Sequence, residues 1–460
     1  MKKILLRLLI IYLSINVLLA ALFFALGGAQ MLPLSTLPEK SQAPSLTTDL
    51  EFLQQVVIEN ESHTSPAQRQ QFNDIISQNA SVRSVDDLSL VGFQALSVFD
   101  NAHTTLLKPK MRRLPIRFHW TSNALVVVKT TANYSHILGQ RVIDIGGKSP
   151  EVMLSDIPKV VGGGTNAWKR YRSEYFYSAP SALALFGANV NNYSVDITLE
   201  SASGEHTTYN MTASQEAMPG DPFWDFLDFF PDDDSFNTKG WATLFTNDSP
   251  LPLYLQNTEQ LHCISNLPPK ETLYIRMNGS FDGKEISIED LISSAQAHTK
   301  NTNNNNIIVD FRFNRGGDYT KALPFVKALS SMVSAKGKLY LIVGPNTFSA
   351  GIIAASQFKR YIPEKLVVVG SEMGDTLRFK AEGFYPTLPH SGITLYLTKG
   401  WTDLIDGCGW LDDCWLPNKF LLEEVGTFDI DIYIENDWAS FINGQDQVLD
   451  AIEDRINSPQ

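Results

Sequence analysis

Three hydrophobic spacings succeed one another along the chain. From Leu8 to Gly27 every residue is apolar except Ser14 and Asn16. A segment that is apolar on all faces and about 20 residues long predicts a bilayer-length helix rather than a core helix with one buried stripe. From Thr48 to about Leu106 the apolar positions recur at three and four: Leu50, Leu53, Val56 and Val57, then Phe72, Ile75 and Ile76, then Leu90, Phe93, Leu96 and Phe99. That spacing predicts amphipathic helices. Between Leu114 and Leu199 short β-branched runs take over, as in 124–128, 141–145 and 193–199, with a helical stretch at 179–186 between them.

The second half alternates. Strands are predicted at 273–277, 307–312, 339–343 and 366–369, and helices at 288–298, 320–333 and 349–360. Strands alternating with helices predict a mostly parallel sheet with covered faces. The organisation expected is a signal peptide or membrane anchor at 1–29, a Pro/Ser/Thr/Gln-rich linker at 30–46 and a helical region at 47–110. A β-rich region at 111–215, an aromatic and acidic connecting loop at 216–250, an α/β domain at 251–440 and a C-terminal helix at 441–460 follow.

Charge gives the N-terminus its direction. Lys2, Lys3 and Arg7 precede the apolar segment, no charge follows until Glu39, and Gly27 and Ala29 offer a small-residue cleavage site. This predicts export to a periplasmic or extracellular location, with the segment either cleaved or kept as an anchor. Over the 460 residues, 37 Lys and Arg face 50 Asp and Glu, a net charge of -13. A polyanion is repelled by that balance, so a nucleic-acid partner is not expected. There is no His-Glu-x-x-His helix, phosphate-binding loop or dinucleotide fingerprint, and neither metal nor cofactor is expected. The run Asp232 to Asp234 reads as a solvated acidic turn. In an oxidising compartment Cys408 and Cys414, six residues apart in a glycine-containing loop, are expected to close a disulfide, with Cys263 a buried free thiol.

Chemistry in such a sheet gathers where strands end and helices begin. Two junctions qualify. In Asp310-Phe-Arg-Phe-Asn-Arg-Gly-Gly-Asp318 the paired glycines allow a tight turn and a close backbone approach. In Val343-Gly-Pro-Asn-Thr-Phe-Ser-Ala-Gly351 a serine stands at a helix start among small residues. A nucleophilic serine needs that setting, with an exposed hydroxyl and oxyanion-stabilising N–H groups beside it. An ordinary helix cap has the same look.

The two junctions together with Val369-Gly370 resemble the C-terminal-processing (tail-specific) and tricorn-core serine protease family. Asp100-Asn-Ala-His-Thr-Thr105 is similar to the Asp-x-His-Thr element of members without a Ser-Lys dyad, and 138–147 resembles the PDZ-like region. The resemblance, over roughly residues 90 to 380, implies a crotonase-like α/β catalytic domain, a PDZ-like β-rich region and a peptide or protein substrate. It also implies Ser349 as nucleophile, His103 as general base, and the N–H groups of Ala350 and of Gly316 or Gly317 as the oxyanion hole. For the third member the chain departs from the family pattern and leaves Glu372 and Asp375 as alternatives. Lys359 and Lys380 are weaker bases, and Asp310, Arg312 and Asn314 are expected to shape the glycine turn. A non-catalytic binding protein on the same fold and an esterase-like hydrolase are the alternatives to a peptidase.

Overall fold

The computed structural model describes residues 2–31, 37, 45–62, 64–213, 240–246, 251–257, 260–267, 272–301 and 306–457. Most of the expected linker and connecting loop, Asp232 to Asp234 included, lies outside these residues.

The apolar helix Lys2–Ala25 stands clear of the rest of the chain, with none of its 7–25 stretch buried. The helical region then forms as its spacing and caps dictate. Ser45, Ser65 and Ser84 each accept an N–H from the first turn of the helices Leu46–Asn60, Pro66–Gln78 and Val85–Ser97. Leu53, Val56, Phe72, Phe93 and Leu96 are sealed inside. Each such side chain removed from water contributes on the order of 1.5–3 kcal/mol.

The β-rich region is an antiparallel sheet of Ile116–Trp120, Leu125–Thr131, Arg141–Ile145, Ser194–Glu200 and His206–Thr212, paired in chain order. Between its third and fourth strands run the helices Asn166–Phe176 and Pro180–Leu185. The strand Trp241–Thr243, placed by its position in the connecting loop, instead pairs with Leu125–Thr131.

The α/β half holds a six-stranded sheet in the order His262–Leu267, Thr272–Met277, Ile307–Asp310, Leu339–Val343, Leu366–Gly370, Ile432–Tyr433. Only the first pair is antiparallel. The strands are buried on both faces, which explains their continuous apolar runs. Leu273, Val309, Leu341 and Val368 pack with residues of the crossover helices Ile288–Asn301, Tyr319–Met332 and Ala350–Tyr361. Tyr274, Ile308, Ile342 and Val369 face the C-terminal helix Gln447–Asn457. A small third sheet joins the two ends of the molecule. Thr105–Leu106, at the end of the expected helical region, pairs with Leu395–Asp403, which also pairs with Arg378–Phe384. The segment before Thr105 is thereby carried to the carboxyl edge of the large sheet.

Candidate active site

Parallel strands deliver both glycine turn and serine to one end of the sheet, since Asp310 lies opposite Ile342 and Val343 opposite Gly370. The glycine turn is braced from beneath. Asp310 accepts from the Tyr274 hydroxyl at 2.8 Å and from Arg312 Nε at 2.9 Å, and the Arg312 guanidinium spans to Asp446 at 2.9 and 3.1 Å. Asn314 links the two turns: its side-chain oxygen accepts the Gly316 N–H at 3.1 Å and its carbonyl accepts the Phe348 N–H at 2.9 Å. Gly351 permits that approach, because a Cβ there would lie 2.4 Å from the Asn314 carbonyl oxygen.

Ser349 closes the second turn with φ 54° and ψ -123°. A serine in the left-handed region is strained by about 1–3 kcal/mol, a cost usually met where the position has a task. Its hydroxyl takes no part in capping the following helix. Gly316 stands directly against it: a Cβ on Gly316 would come 2.6 Å from Ser349 Cβ and 3.1 Å from the Ala350 nitrogen. The Gly316 N–H is already committed to Asn314, whereas the amides of Gly317 and Ala350 have no partner among the described residues. Gly317 has φ 132°, which only glycine adopts readily. Ser349, Gly316, Gly317 and His103 line one cleft of about 600 Å³, with Phe281 and Tyr396 among its apolar walls.

His103 is 2% exposed and lies in a stack of rings, 4.3 Å from Phe348 and 5.4 Å from Phe379 between centroids. Phe348 stacks in turn on Trp168. Neither imidazole nitrogen has a hydrogen bond among the described residues, but Nδ1 is 3.9 Å from Asp375 Oδ2. Burial drives both groups toward their neutral forms, pulling His103 down to about 3 and pushing Asp375 up to about 7.

The histidine is held through its neighbours. Asn101 Nδ2 donates to the hydroxyls of Thr104 and Thr398 at 2.8 and 2.9 Å, and Thr104 donates to Glu61 at 3.1 Å. Glu61, 3% exposed at the end of the first globular helix, is paired at 3.2 Å with Lys380. Burial raises the Glu61 pKa, opposed by the charge of Lys380. Sequence reasoning missed Glu61, Phe379 and Trp168, which no local motif marks, and gave no role to Phe348 inside the serine turn.

The other sequence candidates are placed apart. Glu372 is exposed and accepts the Ala167 N–H at 3.3 Å, in the first turn of Asn166–Phe176, so it does not meet His103. Lys380 is occupied by Glu61, and Lys359 lies in the last turn of the helix that Ser349 opens. Cys408 and Cys414 are joined by a disulfide, and Cys263 is a buried free thiol. Among the described residues no group of His, Cys, Asp and Glu has the arrangement of a metal site.

No protein-family model and no curated protein sequence matches this chain. Solved structures do. Mature CPAF in complex with lactacystin superposes with a TM-score of 0.54 at 13% identity, covering 89% of this chain and 98% of the other. Mature CPAF alone gives 0.55 at 12% identity, with 89% and 96% covered. The tricorn protease aligns at a TM-score of 0.37 and 15% identity, over 89% of this chain and 36% of its own. The chain shares the mixed α/β, several-sheet fold of mature CPAF.

Proposed function

We propose that this chain is a serine peptidase of the C-terminal-processing type, exported or membrane-anchored, that hydrolyses peptide or protein substrates in the cleft beside Ser349. In this reading the α/β half is the crotonase-like catalytic domain and the antiparallel sheet is the PDZ-like region. One observation carries it: a strained serine whose hydroxyl is not spent on capping its helix stands beside two backbone N–H groups that have no partner among the described residues, in a cleft that also takes in a histidine. The fold shared with mature CPAF supports it.

The steps follow from the groups present. The Ser349 hydroxyl attacks the scissile carbonyl and His103 takes its proton, as its neutral form allows. Charge then develops on the carbonyl oxygen, and the N–H groups of Gly317 and Ala350 are the donors left to receive it. Each such donor is worth roughly 10²–10³ in turnover. Asp375 is the carboxylate that steadies the imidazolium, a role in which ionisation of one group favours protonation of the other. His103 then returns its proton to the leaving amine, and water repeats the sequence on the acyl-enzyme.

Incubation with a library of peptides of mixed sequence tests the reading. Cleavage by the wild type that vanishes in Ser349→Ala supports it; equal cleavage by both, or none by a folded wild type, contradicts it. Lactacystin, with which mature CPAF has been solved, is a second ligand to try in the cleft.

A further inference from the structure

The disulfide loop has no part in that chemistry, yet it carries Leu411, the most exposed large apolar side chain among the described residues, with Trp410 next to it. Leu411 is 94% exposed and Trp410 62%, and Phe420 beside them is 58% exposed. They form a fixed shape. The Cys408–Cys414 bond closes the loop, the Trp410 and Phe420 rings meet edge to face at 5.5 Å, and Lys419 Nζ donates to the Trp410 carbonyl at 3.0 Å. Rigid apolar groups at a loop tip lose little freedom on being covered, and something normally covers them.

The carboxylates of the same loop do not crowd this tip. Asp406 is paired with Arg378, Asp412 accepts the Gly409 N–H at 2.6 Å, and Asp413 accepts from Gln30 at 2.5 Å. That last contact identifies the neighbour. Gln30 lies just beyond the apolar helix, and a Cβ on Gly27 would be 3.5 Å from the Cys414 carbonyl oxygen. The turn that directly follows an unburied, bilayer-length helix therefore rests on the loop that bears Trp410 and Leu411. Tryptophan with an apolar neighbour is the pair expected at the headgroup boundary, where one face is apolar and the other wet.

We propose that Trp410, Leu411 and Phe420 form a membrane-contact knob that dips into the outer boundary of the bilayer holding the N-terminal helix. Trp415 and Pro417, which follow directly on the loop, line the cleft of Ser349. The knob thus sets the orientation of the cleft to the membrane, where the helix alone would leave it free to swivel. The proposal rests on the reading of that helix as membrane-inserted.

Reconstitution of the full chain into phosphatidylcholine vesicles whose acyl chains carry a photoactivatable diazirine tests it, with cross-linked residues mapped by mass spectrometry. A zwitterionic lipid keeps the acidic loop from being repelled. Adducts are expected within 7–25 and, separately, on Trp410, Leu411 or Phe420. The triple variant Trp410→Ser, Leu411→Ser, Phe420→Ser should lose the second set, keep the first and retain its rate on soluble peptides. Adducts confined to the helix overturn the knob and leave the anchor standing; absence of adducts in the helix overturns the anchor itself. A protein whose loop is unlabelled and whose mass in detergent halves in the triple variant uses the patch against a second copy, which also overturns the proposal.

Discussion

His103 Nδ1 lies 3.9 Å from Asp375 Oδ2, with both side chains buried and both pressed toward neutrality. Between about pH 4 and 6.5 the folded pair holds one proton, on Asp375, and the unfolded pair also holds one, on His103. The pair therefore makes stability nearly flat with pH across that window. Separately the two slopes are opposite. A histidine lowered to about 3 from 6.5 loses stability as pH falls through that interval, and an aspartate raised to about 7 from 3.8 loses it as pH rises. Asp375→Asn should thus unmask stability that climbs with pH, and His103→Ala stability that declines with pH, each by up to about 1.4 kcal/mol per unit. Urea titrations from pH 4 to 7 read both slopes; slopes equal to those of the wild type would dissociate the two residues.

Activity should follow the same proton. Its loss near 7 leaves a neutral imidazole beside a carboxylate, so kcat/KM rises through that pH with a value belonging to the pair. Asp375→Asn should lower kcat by up to about 10⁴. Glu372→Gln, at a helix start on the surface, should leave it within a factor of about two, since it touches only the Ala167 N–H. Steady-state kinetics of the two variants decide between the carboxylates. A larger loss in Glu372→Gln would reverse the assignment.

Glu61 and Lys380 tie the first globular helix to the strand beside His103. Lys380→Met strands a buried carboxylate that also receives Thr104, and breaking such a pair costs about 3–5 kcal/mol. The double variant Glu61→Leu, Lys380→Met should recover most of that, because neither charge is then left alone. Denaturant midpoints of the three proteins test the coupling. A single variant as stable as the wild type would mean that the pair holds nothing in place.

Gly316→Ala probes the contact between the turns. Its Cβ would sit 2.6 Å from Ser349 Cβ and 2.9 Å from the Phe348 carbonyl oxygen, so the serine has to move. A displacement of about 1 Å at a reacting atom costs on the order of 10² in rate. Unchanged kcat in a folded variant would separate the glycine turn from the chemistry.

Local features of the sequence carry much of this site. Ser349 is legible because a strand end, small residues and a helix start are contiguous, and the paired glycines because only glycine takes φ 101° and 132° cheaply. Which of Glu372 and Asp375 lies near His103 is not legible. It depends on the helix Asn166–Phe176, hidden in a strand-rich stretch, whose N-terminus draws Glu372 outward. Glu61 is invisible because its partner Lys380 lies 319 residues away, and no spacing rule links a helix end to a strand at that distance. Thr105–Leu106 reads as the end of a helical region, because two residues are too few to show a strand period and the pairing partner is Leu395–Asp403.

Whether Ser349 is a nucleophile activated by His103 can be read from a fluorophosphonate probe, with the adduct located by peptide mass spectrometry. One adduct is expected, on Ser349, lost in Ser349→Ala and slowed on the order of 10³-fold or more in His103→Ala. An adduct on another residue, or labelling of Ser349 at an unchanged rate without His103, would contradict that activation.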